Sequence, residues 1–182
     1  MKQEEFVQRL ELNKQYIHGL PEGVRGDFRN QDLRDIDLVR GTYVGCDFSG
    51  SNLSGQDLSG MDLGECHFIG SDLSNCNVTG TSFIRSNFES CNLDGVNLDK
   101  VYTLQGCRGN GKRVKAFQIS DVYTVVYTST HIQVGCFLKT PDEWAAMTLA
   151  EFRLMDGLKA QKFGEKYQEL MVQIATEIDP CL

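Results

Sequence analysis

From Phe28 onward every fifth residue is large and apolar. The series runs Phe28, Leu33, Leu38, Tyr43, Phe48, Leu53, Leu58, Leu63, Phe68, Leu73, Val78, Phe83, Phe88, Leu93 and Leu98, fifteen positions without a gap. The residue before each is Asp or Asn in twelve of the fifteen. Two positions before it small residues recur, as at Gly26, Cys46, Ser51, Ser71, Cys76, Ser86 and Cys91. Two positions after it glycine recurs, at Gly45, Gly50, Gly55, Gly60, Gly70, Gly80 and Gly95. A period of five fits neither the roughly 3.6-residue turn of an amphipathic helix nor the alternation of a strand. It describes a chain that turns a corner every five residues. The large group fills the centre, the small one permits close approach, and Gly or Asn relieves the backbone at the bend.

The pattern resembles the pentapeptide-repeat family, A(D/N)LXX, in segments such as SNLSG, QDLSG, SDLSN and CNLDG, over about 75 of the 182 residues. The resemblance implies a mainly β fold, a right-handed quadrilateral parallel β-helix with four pentapeptides per coil. Positions 20 apart should then stack on one side. Phe28, Phe48, Phe68 and Phe88 form one such column, Leu33, Leu53, Leu73 and Leu93 a second, and Leu38, Leu58, Val78 and Leu98 a third. Tyr43, Leu63 and Phe83 make the fourth. Fifteen repeats give just under four coils, about 18 Å of stack at the roughly 4.8 Å spacing of neighbouring strands.

The segments on either side divide the chain into three parts: a capping helix and linker (1–25), the repeat stack (26–100), and a β-plus-helix segment (101–182). Residues 3–17 predict a helix with Phe6, Leu10 and Ile17 on one face, suited to covering the open end of the coil. Gly-Leu-Pro and Glu-Gly in YIHGLPEGVRGDF stop that helix and lead into the stack. After Lys100 the five-residue rule ends. VKAFQIS, DVYTVVYT and HIQVGCF predict a three-stranded antiparallel meander over about 113–137, its second turn at Ser129-Thr130. Thr140-Pro141-Asp142-Glu143 starts a helix with a capping box, and Thr148 with Glu151 repeats the device. A longer helix from about Lys159 places Phe163, Tyr167, Leu170, Ile174 and Ile178 on one face, a candidate homodimer surface or an internal packing face. HIQVGC…EW and YIHGLPEGVRGDF resemble segments flanking the repeats in phage and prophage proteins.

Composition adds exclusions. No apolar run approaches the roughly 18 residues of a membrane span, and MKQEEFVQRL does not read as a signal peptide. The seven cysteines show no CxxC pair, so neither a zinc site nor a disulfide framework is expected, and the reducing cytoplasm (host cytoplasm if phage-encoded) is the expected location. Cys46, Cys66, Cys76 and Cys91 fall at the small inward position and read as buried hydrophobes. Gly106 to Lys112 spells GxxxxGK but lacks the Ser or Thr that a phosphate-binding loop needs for magnesium, and a strand follows where a helix should. Arg108, Lys112, Arg113 and Lys115 remain as a possible anion contact. His18, His67 and His131 are far apart and pair with no nucleophile. No catalytic, metal or cofactor site is expected, and the chain reads as no enzyme.

Charge distribution carries more information. Residues 26–100 hold twelve acids against five bases, and the flanks balance, so the whole net charge of −7 sits on the stack. Asp27, Asp32, Asp37, Asp47, Asp57, Asp62 and Asp72 form the acidic surface. Such a surface repels nucleic acid and attracts basic proteins. The expected function is an acidic protein-binding module, in a phage setting one that acts on a host macromolecule, with no direct nucleic-acid or membrane partner. Family resemblance also implies an alternative: a DNA mimic that inhibits a type II topoisomerase such as DNA gyrase. A third reading is binding of a small anionic ligand, such as a nucleotide, at the basic turn.

Overall fold

A computed structural model describes residues 1–110, 114–118, 123–128, 130–135 and 137–177. From Gly26 the backbone winds into a stack whose coils pair in parallel at a separation of 20 residues, as at Asp27–Asp47, Asn52–Asp72 and His67–Asn87. Each pairing is a reciprocal hydrogen-bond pattern. The Phe48 N–H donates to the His67 carbonyl at 2.8 Å, while the His67 N–H donates to the Cys46 carbonyl at 3.0 Å. Repeated on every side, this ladder satisfies the backbone that a compact turn-rich chain would otherwise bury unpaired.

The interior follows from the five-residue period. Phe28, Phe48, Phe68 and Phe88 stack with ring centroids 5.0, 5.4 and 5.4 Å apart and interplanar angles of 13°, 4° and 7°. Phe83 meets Phe68 and Phe88 edge-on at 79° and 71°. Leu33, Leu53, Leu73, Leu93, Leu58, Val78 and Leu98 are buried beside them, and Leu38, in the first coil, is only partly buried. The small inward column also buries Ile36, Met61 and Val96, so that position tolerates more bulk than small residues alone suggest. At the bends, five residues with side chains share the left-handed conformation that glycine takes elsewhere: Asn30, Glu65, Asn75, Arg85 and Ser90.

Helix α1 (Gln3–Ile17) covers the first coil. Phe6 lies 4.7 Å from Phe28 and lengthens the aromatic column by one ring. The buried face of α1 is Phe6, Leu10 and Asn13, whereas Ile17 is exposed. Asn13 replaces Ile17 because the end of the coil presents polar backbone: its amide accepts from the Gly26 N–H at 2.8 Å and donates to the Val44 carbonyl at 3.1 Å. An open ladder edge is closed by a side chain that mimics a peptide unit.

At the other end the ladder continues past Lys100. A one-turn 3₁₀ helix (Leu98–Lys100) inserts one residue, and the parallel pairing resumes as Ser82–Thr103 and Asn87–Arg108, now 21 residues apart. Leu104 and Cys107 are buried as the next inward groups. Among the described residues the coil is then capped by a sheet of four antiparallel strands, not three: β1 (Lys115–Gln118), β2 (Thr124–Tyr127), β3 (Ile132–Val134) and β4 (Phe137–Lys139), in that order. HIQVGCF is not one strand because Gly135 turns the chain at φ 58°. Val126 faces the coil, and Gln133 opposite it donates to Thr103 Oγ1 at 2.7 Å and accepts from the Leu104 N–H at 2.5 Å. The other face of the sheet, with Val125, Tyr127, Ile132 and Val134, packs on Trp144, Phe152, Phe163 and Met171 of the helices.

Those helices are α2 (Pro141–Ala146) and α3 (Leu149–Glu177). Both expected capping boxes are formed: Glu143 accepts from the Thr140 N–H at 2.8 Å and Glu151 from the Thr148 N–H at 2.7 Å. α3 is broken at Asp156–Gly157, where Gly157 has φ 60°. Phe163, Tyr167 and Ile174 pack inside the chain and Leu170 is exposed, so most of the stripe is occupied, while Ile178 lies outside the described residues.

The Phe column makes a clear test. Phe68→Ala removes a ring stacked on both sides and should cost about 3–5 kcal/mol in denaturant unfolding. Ile69→Ala, at an exposed neighbouring site, should stay within about 0.5 kcal/mol of the parent.

Candidate interaction surface

The outer faces of the stack are built from the Asp/Asn position. Its side-chain oxygen accepts a hydrogen bond from the backbone N–H two residues on: Asp47 from Ser49 at 3.0 Å, Asn52 from Ser54 at 3.0 Å, Asp62 from Gly64 at 3.1 Å and Asn87 from Glu89 at 3.0 Å. The contact recurs at Asp27, Asp32, Asp57, Asp72, Asn77, Asn92 and Asn97. This is an Asx turn, and it holds each corner. Asn performs it as well as Asp, so a carboxylate at this position brings a charge that the corner does not require.

Some of that charge is neutralised locally. Arg29 donates two bonds to Asp27, at 2.9 and 2.7 Å, and Arg34 does the same for Asp32. These hydrogen bonds hold both carboxyls at about 2, below the ordinary 3.8. Asp57 and Asp72 instead receive neutral amides from the next coil, Asn77 at 2.9 Å and Asn92 at 3.1 Å. Asp37 is tied through its backbone to Gln3 of α1, at 2.9 and 3.0 Å.

The stacking assigns every charge to a side. The Leu33 and Leu38 faces are adjacent and carry Asp32, Asp35, Asp37, Asp57, Asp72, Asp94 and Asp99 against Arg34, Arg40 and Lys100. The Phe28 and Tyr43 faces carry Asp27, Asp47, Asp62, Glu65 and Glu89 against Arg29 and Arg85, with Arg25 and Arg108 at their ends. The first pair of faces has a net charge of −4. The second has a net charge of −3 within residues 26–100, and Arg25 and Arg108 at its ends offset two of those charges.

Arg108 is exposed at the last rung of the ladder and Lys115 begins β1, while Lys112 and Arg113 lie outside the described residues. Gly106 is a corner of the coil, with φ 70°, and β1 follows the turn. His67 sits outward, 3.8 Å from Asp47. His131 Nδ1 lies 3.1 Å from Asp99 Oδ1, and the Thr130 hydroxyl donates to the same carboxylate, tying the sheet to the coil. No His/Cys/Asp/Glu cluster able to hold a metal occurs among the described residues. Cys46, Cys66, Cys76, Cys91 and Cys107 are free and buried. Burial pushes Cys46, Cys76 and Cys107 up to about 12 and Cys91 to about 11, which suppresses the thiolate needed for redox or metal chemistry.

Residues 46–83 and 62–99 match the family model described as Pentapeptide repeats (8 copies), so this segment is a pentapeptide-repeat array. No curated protein matches the chain. Among solved structures, HetL, a pentapeptide repeat protein involved in heterocyst differentiation regulation from the cyanobacterium Nostoc, is 20% identical with a TM-score of 0.26, the match covering 47% of this chain and 48% of that one. A pentapeptide repeat protein of the Arabidopsis thaliana thylakoid lumen is 27% identical with a TM-score of 0.25, covering 44% and 57%. QnrB1, a plasmid-mediated fluoroquinolone resistance protein, is 21% identical with a TM-score of 0.19, covering 44% and 56%. The match thus spans about half the length of each of these structures.

Two measurements separate charge from fold. Asp62→Asn should leave the melting temperature nearly unchanged, whereas Asp62→Ala, which removes the acceptor, should cost about 0.5–1.5 kcal/mol. The paired Asp27 and Asp32 stand at about 2 in the fold and 3.8 in the unfolded chain. Their contribution is therefore complete above pH ~4 and disappears as pH falls toward 2. Asp27→Asn with Asp32→Asn should flatten that acid limb in a melting-temperature series, while shifting the pH 7 value by no more than about 3 °C.

Proposed function

We propose that this protein is a non-enzymatic binding module whose Leu33 and Leu38 faces take a basic protein surface. The observation that carries this reading is the surplus of carboxylates on those two faces. The corner needs only an oxygen acceptor, yet Asp57 and Asp72 supply a charge with amides, not cations, as their side-chain partners. Asp35 and Asp94 add charge outside the Asp/Asn position. The coil holds these groups on a rigid lattice, so a partner meets preset charges at little entropic cost. In this reading the coil winds right-handed, as the repeat pattern implies. The partner is a host macromolecule met in the cytoplasm, in keeping with the resemblance of the flanking segments to phage and prophage proteins.

The narrower form of the same reading is mimicry of duplex DNA at a type II topoisomerase. Its support is the clustering of acids on one side of the coil, with Asp32 and Asp72 two coils apart in one column and Asp37 and Asp57 successive in the next. The charge density tells against it, since an 18 Å length of DNA carries about eleven phosphates and these faces offer fewer acids. The test compares the parent with Asp57→Asn/Asp72→Asn/Asp94→Asn, which keeps both corner oxygens. Affinity capture from bacterial lysate should retain a basic protein on the parent and lose it on the variant. Equal capture by both would overturn the acidic-face reading. Inhibition of gyrase supercoiling by the parent and not the variant would establish the narrower form, and no inhibition at micromolar protein would remove it.

A further inference from the structure

α3 folds back on itself. In a straight helix Phe152 and Gly164 would stand about 18 Å apart. Instead the Phe152 ring lies against the Gly164 backbone, 2.6 Å from where a Cβ on that glycine would be, so only glycine fits. The reversal occurs at Asp156–Gly157, where both residues leave helical geometry. The result is a helical hairpin, and its tip carries Leu154 at 86% and Leu158 at 59% exposure. Leu154 is the most exposed large hydrophobic among the described residues.

The charges around the tip are unevenly committed. Asp156 accepts from the Tyr123 hydroxyl at 2.7 Å. Glu151 holds the helix start through the Thr148 hydroxyl at 2.8 Å, and Glu165 accepts from Gln161 at 3.0 Å. Lys166 lies 4.9 Å over the Tyr167 ring. Arg153, Lys159 and Lys162 are exposed and form no ion pair among the described residues. The tip therefore presents two leucines flanked by three uncommitted cations.

We propose that this hairpin tip docks on an anionic lipid surface, with Leu154 and Leu158 entering the acyl boundary and Arg153, Lys159 and Lys162 meeting the headgroups. Two leucine side chains, 86% and 59% exposed, make only a small apolar patch. That falls well short of the roughly 800 Å² per partner that a stable interface with a second copy needs. A deformable bilayer accepts a convex apolar tip without a matching pocket. No described helix is long and apolar enough to cross a membrane, so the contact is peripheral. The expectation of no membrane partner rested on the missing span, and a two-leucine tip leaves no trace in hydropathy. Residues 101–182 are charge-balanced, and exposed charges farther from the bilayer than the Debye length of about 10 Å are largely screened.

The test is flotation of the full chain with vesicles of phosphatidylcholine alone or with about one-third phosphatidylserine. Binding is expected only to the anionic vesicles and should weaken as salt rises. Leu154→Ser/Leu158→Ser should reduce partitioning at least about tenfold. Arg153→Gln/Lys159→Gln should lower it and flatten its salt dependence. All four side chains are exposed, and an unchanged melting temperature verifies the fold. Absence of binding to anionic vesicles at millimolar lipid overturns the proposal, as does binding that the serine variant retains. If vesicles fail while the serine variant loses a protein captured by the parent, the tip is a protein contact and the lipid assignment is overturned.

Discussion

The parallel backbone ladder with its 20-residue step is the constraint from which the rest of the molecule follows. Because each coil donates to and accepts from the next, like positions are superposed, and the interior becomes a set of columns. A column rewards identical shapes. Phenylalanine rings at about 5 Å can stack nearly parallel down the whole length, and an amide oxygen at one corner is repeated at the corner above. The same superposition creates the problem of the two ends, where a rung has no neighbour. Both ends solve it with an amide side chain that copies a peptide group, Asn13 below and Gln133 above.

The ladder also explains why the surface is acidic in a controlled way. The corner position faces outward beside its own backbone, so it requires a short side chain with an acceptor oxygen. Asp and Asn meet that requirement equally, which leaves charge free to vary while the fold stays constant. Binding character can then be written onto one pair of faces without disturbing the core. The five described cysteines, all in the coil, illustrate the converse. They occupy columns where burial disfavours the thiolate, and Cys107 donates to the Phe83 carbonyl at 2.7 Å as Ser86 donates to Leu63 at 2.6 Å in the coil below.

The stack was legible in the sequence because its contacts are periodic. Fifteen apolar positions and the Phe and Leu columns state the core residue by residue. The ends were not, because their contacts are long-range and occur once. Nothing near Asn13 marks it as a cap, since its partners lie at Gly26 and Val44. The continuation to Arg108 was hidden by a single inserted residue that broke the period but not the pairing. Gly135 was readable only once the strand on either side of it was known to pair with itself. The acidic surface was visible as a count. Its distribution, seven acids on the Leu33 and Leu38 faces and five on the other two, needed the assignment of each residue to a side.

The inserted residue at Leu98–Lys100 has a consequence for how such a chain can change length. Within the regular stack, loss or gain of a whole coil, 20 residues, leaves every side in phase and both caps facing the rungs they fit. A change of five residues would turn the C-terminal cap by a quarter revolution and bring Gln133 over the wrong side. The rod therefore keeps both caps in register only when its length changes in whole-coil steps, while the offset at its end fixes the side on which the terminal sheet lands.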